Sequence, residues 1–203
     1  LAKEFGMTVV VTDHHEVPFV MEGDARVECL PPADAVIDPK QSGCSYPQEG
    51  ICGAVVAMKV IEVLNEISGN PIDHDELLDE LLPFAALASI CDVMELLGEN
   101  RAIVKEGLRL LRTRPYMGLD ALISASKLDK KSISPYHLGF VIGPSLNATG
   151  RLDSAMRAFD LLKTTDEGEA AILATELKDL NDSRKSMTLE GTKRAVKIIE
   201  EKG

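Results

Sequence analysis

The sequence predicts an α/β protein that contains part of a doubly wound, mainly parallel sheet, followed by a helical layer and a long connecting helix. Three observations lead to this fold class. Short apolar runs at residues 7–11 and 34–37 are typical of buried strands. From Glu99 onward, the apolar residues recur at helical spacing only. The last segment, residues 166–202, keeps that spacing and is largely polar, as helices between domains often are.

Composition indicates a globular chain with an aliphatic core. Of the 203 residues, 45% are hydrophobic, but only 4% are aromatic and none is Trp. The chain has 22 Lys and Arg against 33 Asp and Glu, a net charge of −11. This balance argues against nucleic-acid binding by bulk electrostatics, since phosphate contacts need Lys and Arg. It still allows nucleic acid held through a metal ion and a few cations, and its simplest meaning is a soluble surface.

The four cysteines give no sign of a structural metal site or a disulfide framework. No pair forms a CxxC motif, and no His lies at zinc-finger spacing. Cys52 and Cys91 are typical of small buried hydrophobic residues. A reduced, cytoplasmic compartment fits this usage best, and we find no signal peptide or transmembrane run.

The first half alternates strand and helix patterns. Its elements are expected in this order: strand 7–11, polar loop 16–33, strand 34–37, turn 38–43, helix 53–67 and helix 73–88. Pro83 is predicted to kink or split the second helix, because a Pro inside a helix lacks an N–H donor and clashes with the preceding turn. Residues 84–90 are apolar throughout and are expected to be buried on all sides.

Asp92 follows that apolar stretch. A buried carboxylate needs a cation or hydrogen-bond partners, so Asp92 is a candidate functional residue. The alternative is a helix-capping acid or a solvated turn acid, which the local pattern slightly favours.

The second half is predicted to be helical with one notable loop. Its expected elements are helices 100–113, 118–125, 134–143 and 153–163, a loop at 144–152, and the tail helix 166–202. The loop has small residues, which let a backbone approach a ligand closely, and an Arg suited to bidentate phosphate contacts. The alternative is an ordinary interhelical turn, which the pattern alone favours.

The start and the end of the first half indicate how the chain is divided into domains. Residues 1–6 resemble the tail of a helix closed by a C-cap glycine, Gly6, which suggests a piece of a longer protein. The nearest feature to a domain boundary is at residues 97–99, where strand-bearing sequence gives way to helices.

The predicted first strand ends directly in Asp13, His14 and His15. Ligands collect beyond the carboxyl ends of strands in parallel α/β sheets. Mixed carboxylate and imidazole donors suit manganese or another borderline metal better than calcium. The alternative is a group of ordinary surface or hydrogen-bonded side chains, and the local pattern leaves both interpretations open.

Four stretches together resemble the DHH phosphoesterases, and most closely the RecJ-type single-stranded-DNA-specific exonucleases. In chain order they are residues 12–15 with 31–40, residues 52–59, residues 86–101 and residues 145–152. The DHH triplet alone is a weak signal, but the four stretches in this order are specific, and the likeness spans nearly the whole chain.

The resemblance implies a two-metal phosphoesterase, usually manganese-dependent (Mn²⁺ or Mg²⁺), that removes nucleotides from the 5′ end of single-stranded DNA. It implies that His14 and Asp92 are metal ligands. Asp13 would orient the site, and His15 would stabilise charge or handle a proton at the scissile phosphate. Asn147 and Arg151 resemble the residues that contact substrate phosphate.

The sequence also departs from the family pattern. The family carries an aspartate-rich loop and a further metal-binding Asp before the DHH triplet, and neither is present. We therefore expect a middle fragment with an incomplete two-metal site, weak Mn²⁺ binding and little or no nuclease activity alone. Its expected parts are residues 1–97, the carboxyl half of the α/β domain; 98–164, a helical part of the same core; and 165–203, a connecting helix.

Two other functions stay open at this stage. One is a DHH-family phosphoesterase that acts on short oligonucleotides or nucleotides, and the other is a non-catalytic binding domain of the same fold. The expected partners are single-stranded DNA in the intact protein and a single-strand-binding protein, in DNA repair and recombination, with no membrane. An exposed sheet edge would also allow the chain to dimerise.

Overall fold

The computed structural model describes residues 2–152 and 155–202, with the side chains of residues 149, 151, 152 and 202 also left out. The chain divides into two compact units, Leu1–Leu110 and Leu111–Gly203. The fold is α/β, with a short parallel sheet, several helices and a long C-terminal helix, as predicted.

The first unit contains two short pairs of strands. Strand β1 (Val10–Thr12) pairs in parallel with β4 (Ala35–Ile37), so strands form where the two apolar runs were identified. Strand β1 begins three residues later than predicted, and both strands are largely exposed, so the prediction of buried strands was wrong. Strands β2 (Phe19–Glu22) and β3 (Ala25–Glu28) form an antiparallel hairpin. The prediction of a loop over residues 16–33 was therefore wrong for this part.

The hairpin has a local cause that the loop prediction overlooked. Gly23 and Asp24 form a two-residue connection, and Gly23 has a φ of +63°, the left-handed conformation that such tight turns require. The hairpin lies largely exposed, so its strands lack the buried face that usually makes a strand pattern visible in sequence.

Three helices complete the first unit. Helix α1 spans Gly53–Ile67, α2 spans His74–Cys91, and α3 (Gly98–Thr113) begins in this unit. Pro83 does not split α2, which continues through it to Cys91. Pro83 is buried, and α3 packs closely against this part of α2. A Cβ added to Gly107 of α3 would lie only 2.4 Å from the carbonyl oxygen of Leu82, the residue before Pro83.

A buried polar network holds the loop that precedes α1. Asn100 is fully buried, and its Nδ2 donates to the carbonyl oxygens of Gly50 at 2.6 Å and Glu95 at 3.0 Å. The Tyr46 hydroxyl donates to Glu99, which also forms an ion pair with Lys59 of α1 at 2.9 Å. These contacts attach the loop to α1 and α3.

All the regular elements described in the second unit are helical, including a 3-10 turn at Lys130–Ser132. Its helices are α4 (Met117–Ala125), α5 (Pro135–His137), a π-helical turn (Leu138–Ile142), α6 (Gly143–Leu152), α7 (Met156–Lys163) and α8 (Glu167–Lys202). The prediction of a loop over residues 144–152 was wrong. Pro144 is tolerated in the first turn of α6, and the buried Ser145 and Ala148 give the segment an inward face.

Helix α8 has a buried face in its first half and is exposed in its second half. Its first half buries Ala170, Ala174, Leu177 and Asn181, which recur at helical spacing. From Lys185 to Glu201, every residue is exposed. Close packing elsewhere in the unit depends on Gly118 of α4, where an added Cβ would lie 2.0 Å from the Leu161 carbonyl oxygen.

The first turn of the chain and the burial of Cys52 agree with the sequence predictions, whereas Cys91 is less buried than predicted. Residues Lys3–Phe5 form one 3-10 turn closed by Gly6 at a φ of +72°. Cys52 is buried and Cys91 is half-buried. Within the described residues, no helix is long and apolar enough to cross a membrane.

Candidate metal centre

The Asp13-His14-His15 triplet begins where β1 leaves the sheet. The Asp13 N–H donates to the Ile37 carbonyl oxygen at 2.9 Å, next to the paired residues Thr12 and Ile37. The triplet therefore lies at the carboxyl end of a parallel strand pair, the edge at which ligands bind in open α/β sheets.

Asp13 organises the local structure of the triplet. Its Oδ1 accepts the backbone N–H of His14 at 2.7 Å and that of His15 at 3.2 Å, and lies 2.6 Å from His15 Nδ1. The hydrogen bond with the His15 ring, with help from the two backbone N–H groups, lowers the pKa of Asp13 to about 2. Asp13 is therefore an anion at neutral pH, and it orients the His15 ring.

His14 is the least exposed side chain of the triplet, at 20%. Its ring lies against the start of α1, where a Cβ added to Gly53 would come within 3.1 Å of Nδ1. On its other side, His14 Nε2 lies 3.0 Å from Asp92 Oδ2. The ring is thus fixed between the first residue of one helix and the last turn of another.

Asp92 is the C-cap residue of α2, with Val93 beyond it at a φ of +57°. Its side chain is 47% exposed, so the interpretation as a carboxylate buried in the apolar run was wrong. The helix-capping alternative describes its position correctly. Its hydrogen-bond partner is His14, 78 residues earlier in the chain.

The donor atoms of this group fit a divalent cation. One ligand atom each from Asp13, His14 and His15 lies within 4.8 Å of the others. Asp92 is not part of this group of three, but its Oδ2 lies 3.0 Å from His14 Nε2 and offers a further oxygen beside that ring. Carboxylate oxygens and imidazole nitrogens together suit manganese and similar borderline ions, and His15, at 75% exposure, leaves one side open to solvent.

The two predicted phosphate-contacting residues belong to the second unit. Asn147 is an exposed residue of α6. Arg151 lies in the last turn of the same helix, but its side chain lies outside the described residues. Both residues occupy a helix rather than the predicted loop.

Gly53 is a residue of this centre that reasoning from sequence missed. It belongs to one of the stretches that resemble the DHH phosphoesterases, but nothing local indicates that its missing side chain makes room for an imidazole. The available signal was a glycine at the first position of a well-formed helix, where helix propensity does not favour it.

Comparisons with known proteins point to one family. No family model matches the chain. The single-stranded-DNA-specific exonuclease RecJ of Bacillus subtilis is 38% identical over 203 residues, and RecJ of Salmonella typhimurium is 36% identical over 195 residues. The chain is similar in sequence to part of the RecJ exonucleases. It spans 24% and 32% of the lengths of these two relatives, while they match 100% and 92% of this chain.

Solved RecJ structures share the fold. Thermus thermophilus RecJ in complex with Mn²⁺ matches with a TM-score of 0.73 at 32% identity, covering 94% of this chain and 26% of that one. An exonuclease RecJ bound to manganese matches with a TM-score of 0.76 at 32% identity, covering 95% and 45%. The resemblance to RecJ proteins expected from the four stretches is therefore confirmed along the chain.

Proposed function

We propose that this chain is part of a metal-dependent phosphodiesterase, a 5′-to-3′ exonuclease specific for single-stranded DNA. The observation that carries the proposal is the contact of His14 Nε2 with Asp92 Oδ2 at 3.0 Å. It joins two of the stretches that resemble RecJ-type proteins, at a strand end where the side chains of Asp13 and His15 lie close to His14. The relatedness to RecJ exonucleases supports the substrate class.

In this proposal, His14 and Asp92 hold a divalent cation, Mn²⁺ or Mg²⁺, as one part of a two-metal site. When bound, such ions activate a water molecule and shield the leaving oxygen of a phosphodiester. They would also supply positive charge next to the substrate, which a chain of net charge −11 otherwise lacks.

The other two residues of the triplet act on the substrate side. Asp13 is anionic and lies 2.6 Å from His15 Nδ1, so it holds the His15 ring in one orientation. The exposed His15 then stabilises charge on the scissile phosphate or transfers a proton. Asn147 and Arg151 of α6 contact substrate phosphate, since an amide and a guanidinium donate hydrogen bonds to phosphate oxygens.

The cellular setting follows from the same proposal. We propose a cytoplasmic role in DNA repair and recombination, with a single-strand-binding protein as a partner and a dimer through the free edge of β1 as an alternative assembly. Residues 1–97 would supply part of the α/β domain, residues 98–164 a helical part of the same core, and residues 165–203 a connecting helix.

The test is a calorimetric titration of the chain and of Asp92→Asn with Mn²⁺ alone. We expect measurable binding by the parent chain and at least tenfold weaker binding by the variant, because one anionic ligand is lost. Asp73→Asn is the matched control. It removes the same charge at the N-cap of the same helix, where Asn caps as well as Asp does. Thermal unfolding without Mn²⁺ checks that both variants fold.

The outcomes separate the parts of the proposal. Equal affinities of parent and Asp92→Asn would refute Asp92 as a ligand, and absence of binding by the parent would refute a metal site in this chain. Because the chain spans only part of its relatives, we expect little or no hydrolysis of 5′-labelled single-stranded DNA by it alone. Efficient hydrolysis of dinucleotides but not of long strands would favour the small-substrate phosphoesterase instead.

A further inference from the structure

A stacked pair of aromatic side chains lies on the surface of the second unit. The rings of Tyr136 and Phe140 have centroids 5.0 Å apart and an interplanar angle of 27°. Both side chains are exposed, Tyr136 at 63% and Phe140 at 66%. The chain contains only eight Phe and Tyr residues and no Trp, so placing two of them together in solvent is unusual for its composition.

The pair belongs to a basic segment of an acidic chain. Residues 111–152 contain six Lys or Arg and two Asp, a net charge of +4 in a chain whose total is −11. Lys127 and Lys131 are exposed, and they precede Tyr136 by nine and five residues. Positive charge next to exposed aromatic rings is the combination that binds single strands, because the cations contact phosphates while the rings stack on bases.

Asn147 follows the aromatic pair in the same helical run. Tyr136 and Phe140 are four residues apart, and Asn147 follows Phe140 by seven, so the three exposed residues recur at roughly helical spacing. Seven residues correspond to about 10 Å along a helix. The π-helical turn at Leu138–Ile142 lies within this run, and such turns occur frequently at functional sites.

We propose that Tyr136 and Phe140 form a stacking platform for an unpaired nucleobase of a bound single strand, in the same helical run as the exposed Asn147. The proposal rests on the proposed function and names the surface that holds the bases rather than the phosphates. Stacking on aromatic rings tolerates every base, which suits an enzyme that acts on strands of any sequence. An apolar protein segment is the competing occupant, but it would not account for the positive net charge of this segment of the chain.

The experiment compares two 12-nucleotide probes without added metal, so that neither is hydrolysed. One is oligothymidylate, and the other has the same phosphates but abasic sugars in its central eight positions. Phe140→Trp provides a single tryptophan, whose fluorescence reports stacking directly. Tyr136→Ala and Phe140→Ala are each compared with Phe159→Ala, which removes another exposed phenyl ring of the same unit.

We expect oligothymidylate to quench the tryptophan of Phe140→Trp and the abasic probe to leave it unquenched. Tyr136→Ala and Phe140→Ala should each weaken oligothymidylate binding about tenfold, whereas Phe159→Ala should not change it. Tyr136→Ala and Phe140→Ala should leave the weaker binding of the abasic probe unchanged. Circular dichroism confirms that the variants, which truncate exposed side chains only, are folded.

Three results would overturn the platform. The first is that Tyr136→Ala and Phe140→Ala weaken the binding of both probes equally, and the second is that the parent chain does not bind oligothymidylate. The third is that the tryptophan emission of Phe140→Trp shifts with protein concentration alone, because the pair would then be covered by an apolar surface of a protein. The Mn²⁺ titration of Asp92→Asn does not involve the aromatic pair. If the stacking test fails but Asp92→Asn still binds Mn²⁺ more weakly than the parent chain, the proposed function stands without the platform. If Asp92→Asn binds Mn²⁺ as well as the parent chain, the proposed function is refuted whatever the stacking test shows.

Discussion

Substitution of Gly53 by Ala tests whether the position of His14 controls metal binding. A Cβ at this residue would lie 3.1 Å from His14 Nδ1 and 3.2 Å from Cε1, whereas ordinary contacts begin near 3.4 Å. The imidazole must therefore move by a few tenths of an ångström. His14 Nε2 is held 3.0 Å from Asp92 Oδ2, so the same movement disturbs the two predicted metal ligands together.

The expected magnitude follows from that geometry. A strained hydrogen bond of this kind changes the free energy by about 0.5–1.5 kcal/mol, which corresponds to a loss of up to about tenfold in Mn²⁺ affinity. The stability of the fold should change little, because Gly→Ala at a residue without a positive φ lowers the entropy of the unfolded chain, which stabilises the fold by about 0.4–1 kcal/mol and offsets the contact. Metal affinity and stability should therefore respond differently.

Calorimetry with Mn²⁺ and thermal unfolding without it measure the two quantities. Gly69→Ala is the matched control, since an added Cβ there meets nothing within 4 Å and the residue follows the other end of the same helix. An unchanged Mn²⁺ affinity in Gly53→Ala, with the control also unchanged, would refute the argument that the space left by Gly53 positions His14 for a metal.

Two further predictions concern stability. Burial opposes ionisation of Glu99, but the hydrogen bond from Tyr46 and the ion pair with Lys59 outweigh it and lower the pKa of Glu99 below 4.5. Glu99→Gln should therefore cost about 1 kcal/mol in urea unfolding near pH 7, and this difference should shrink as the pH falls below 4.5. Gly118→Ala should lower the free energy of unfolding by about 1–3 kcal/mol, because its Cβ would overlap the Leu161 carbonyl oxygen.

Each of these has a control within the chain. Tyr46→Phe removes only the hydroxyl contact with Glu99, so it should reproduce part of the pH dependence, and a difference that stays constant down to pH 3 would contradict the assignment. Gly191→Ala adds a methyl group to an exposed part of α8 where nothing lies within 4 Å, and it should raise helicity slightly. Equal effects of Gly118→Ala and Gly191→Ala would contradict the packing argument.

The sequence patterns were informative for helices with one buried face and for strands made of a short apolar run. Helix α1 at Gly53–Ile67, helix α8 and strand β4 were predicted with nearly their observed bounds, whereas β1 begins three residues later than predicted. The exposed β2–β3 hairpin was missed because no buried face distinguishes its strands. The helix over residues 144–152 was missed because small residues and a Pro resemble a loop, although Ser145 and Ala148 are buried.

The sequence by itself determined the local chemistry: an Asp and two His at the end of a strand, an acid at the end of an apolar helix, and an acidic, aliphatic composition. These properties depend on residues close together in the chain, which is why periodicity and spacing reveal them. The tertiary structure alone decided that Asp92 contacts His14 and that Gly53 makes room for its ring. Such contacts join residues 39 and 78 positions apart, and they depend on how helices α1 and α2 pack beside the strand, which no local pattern specifies.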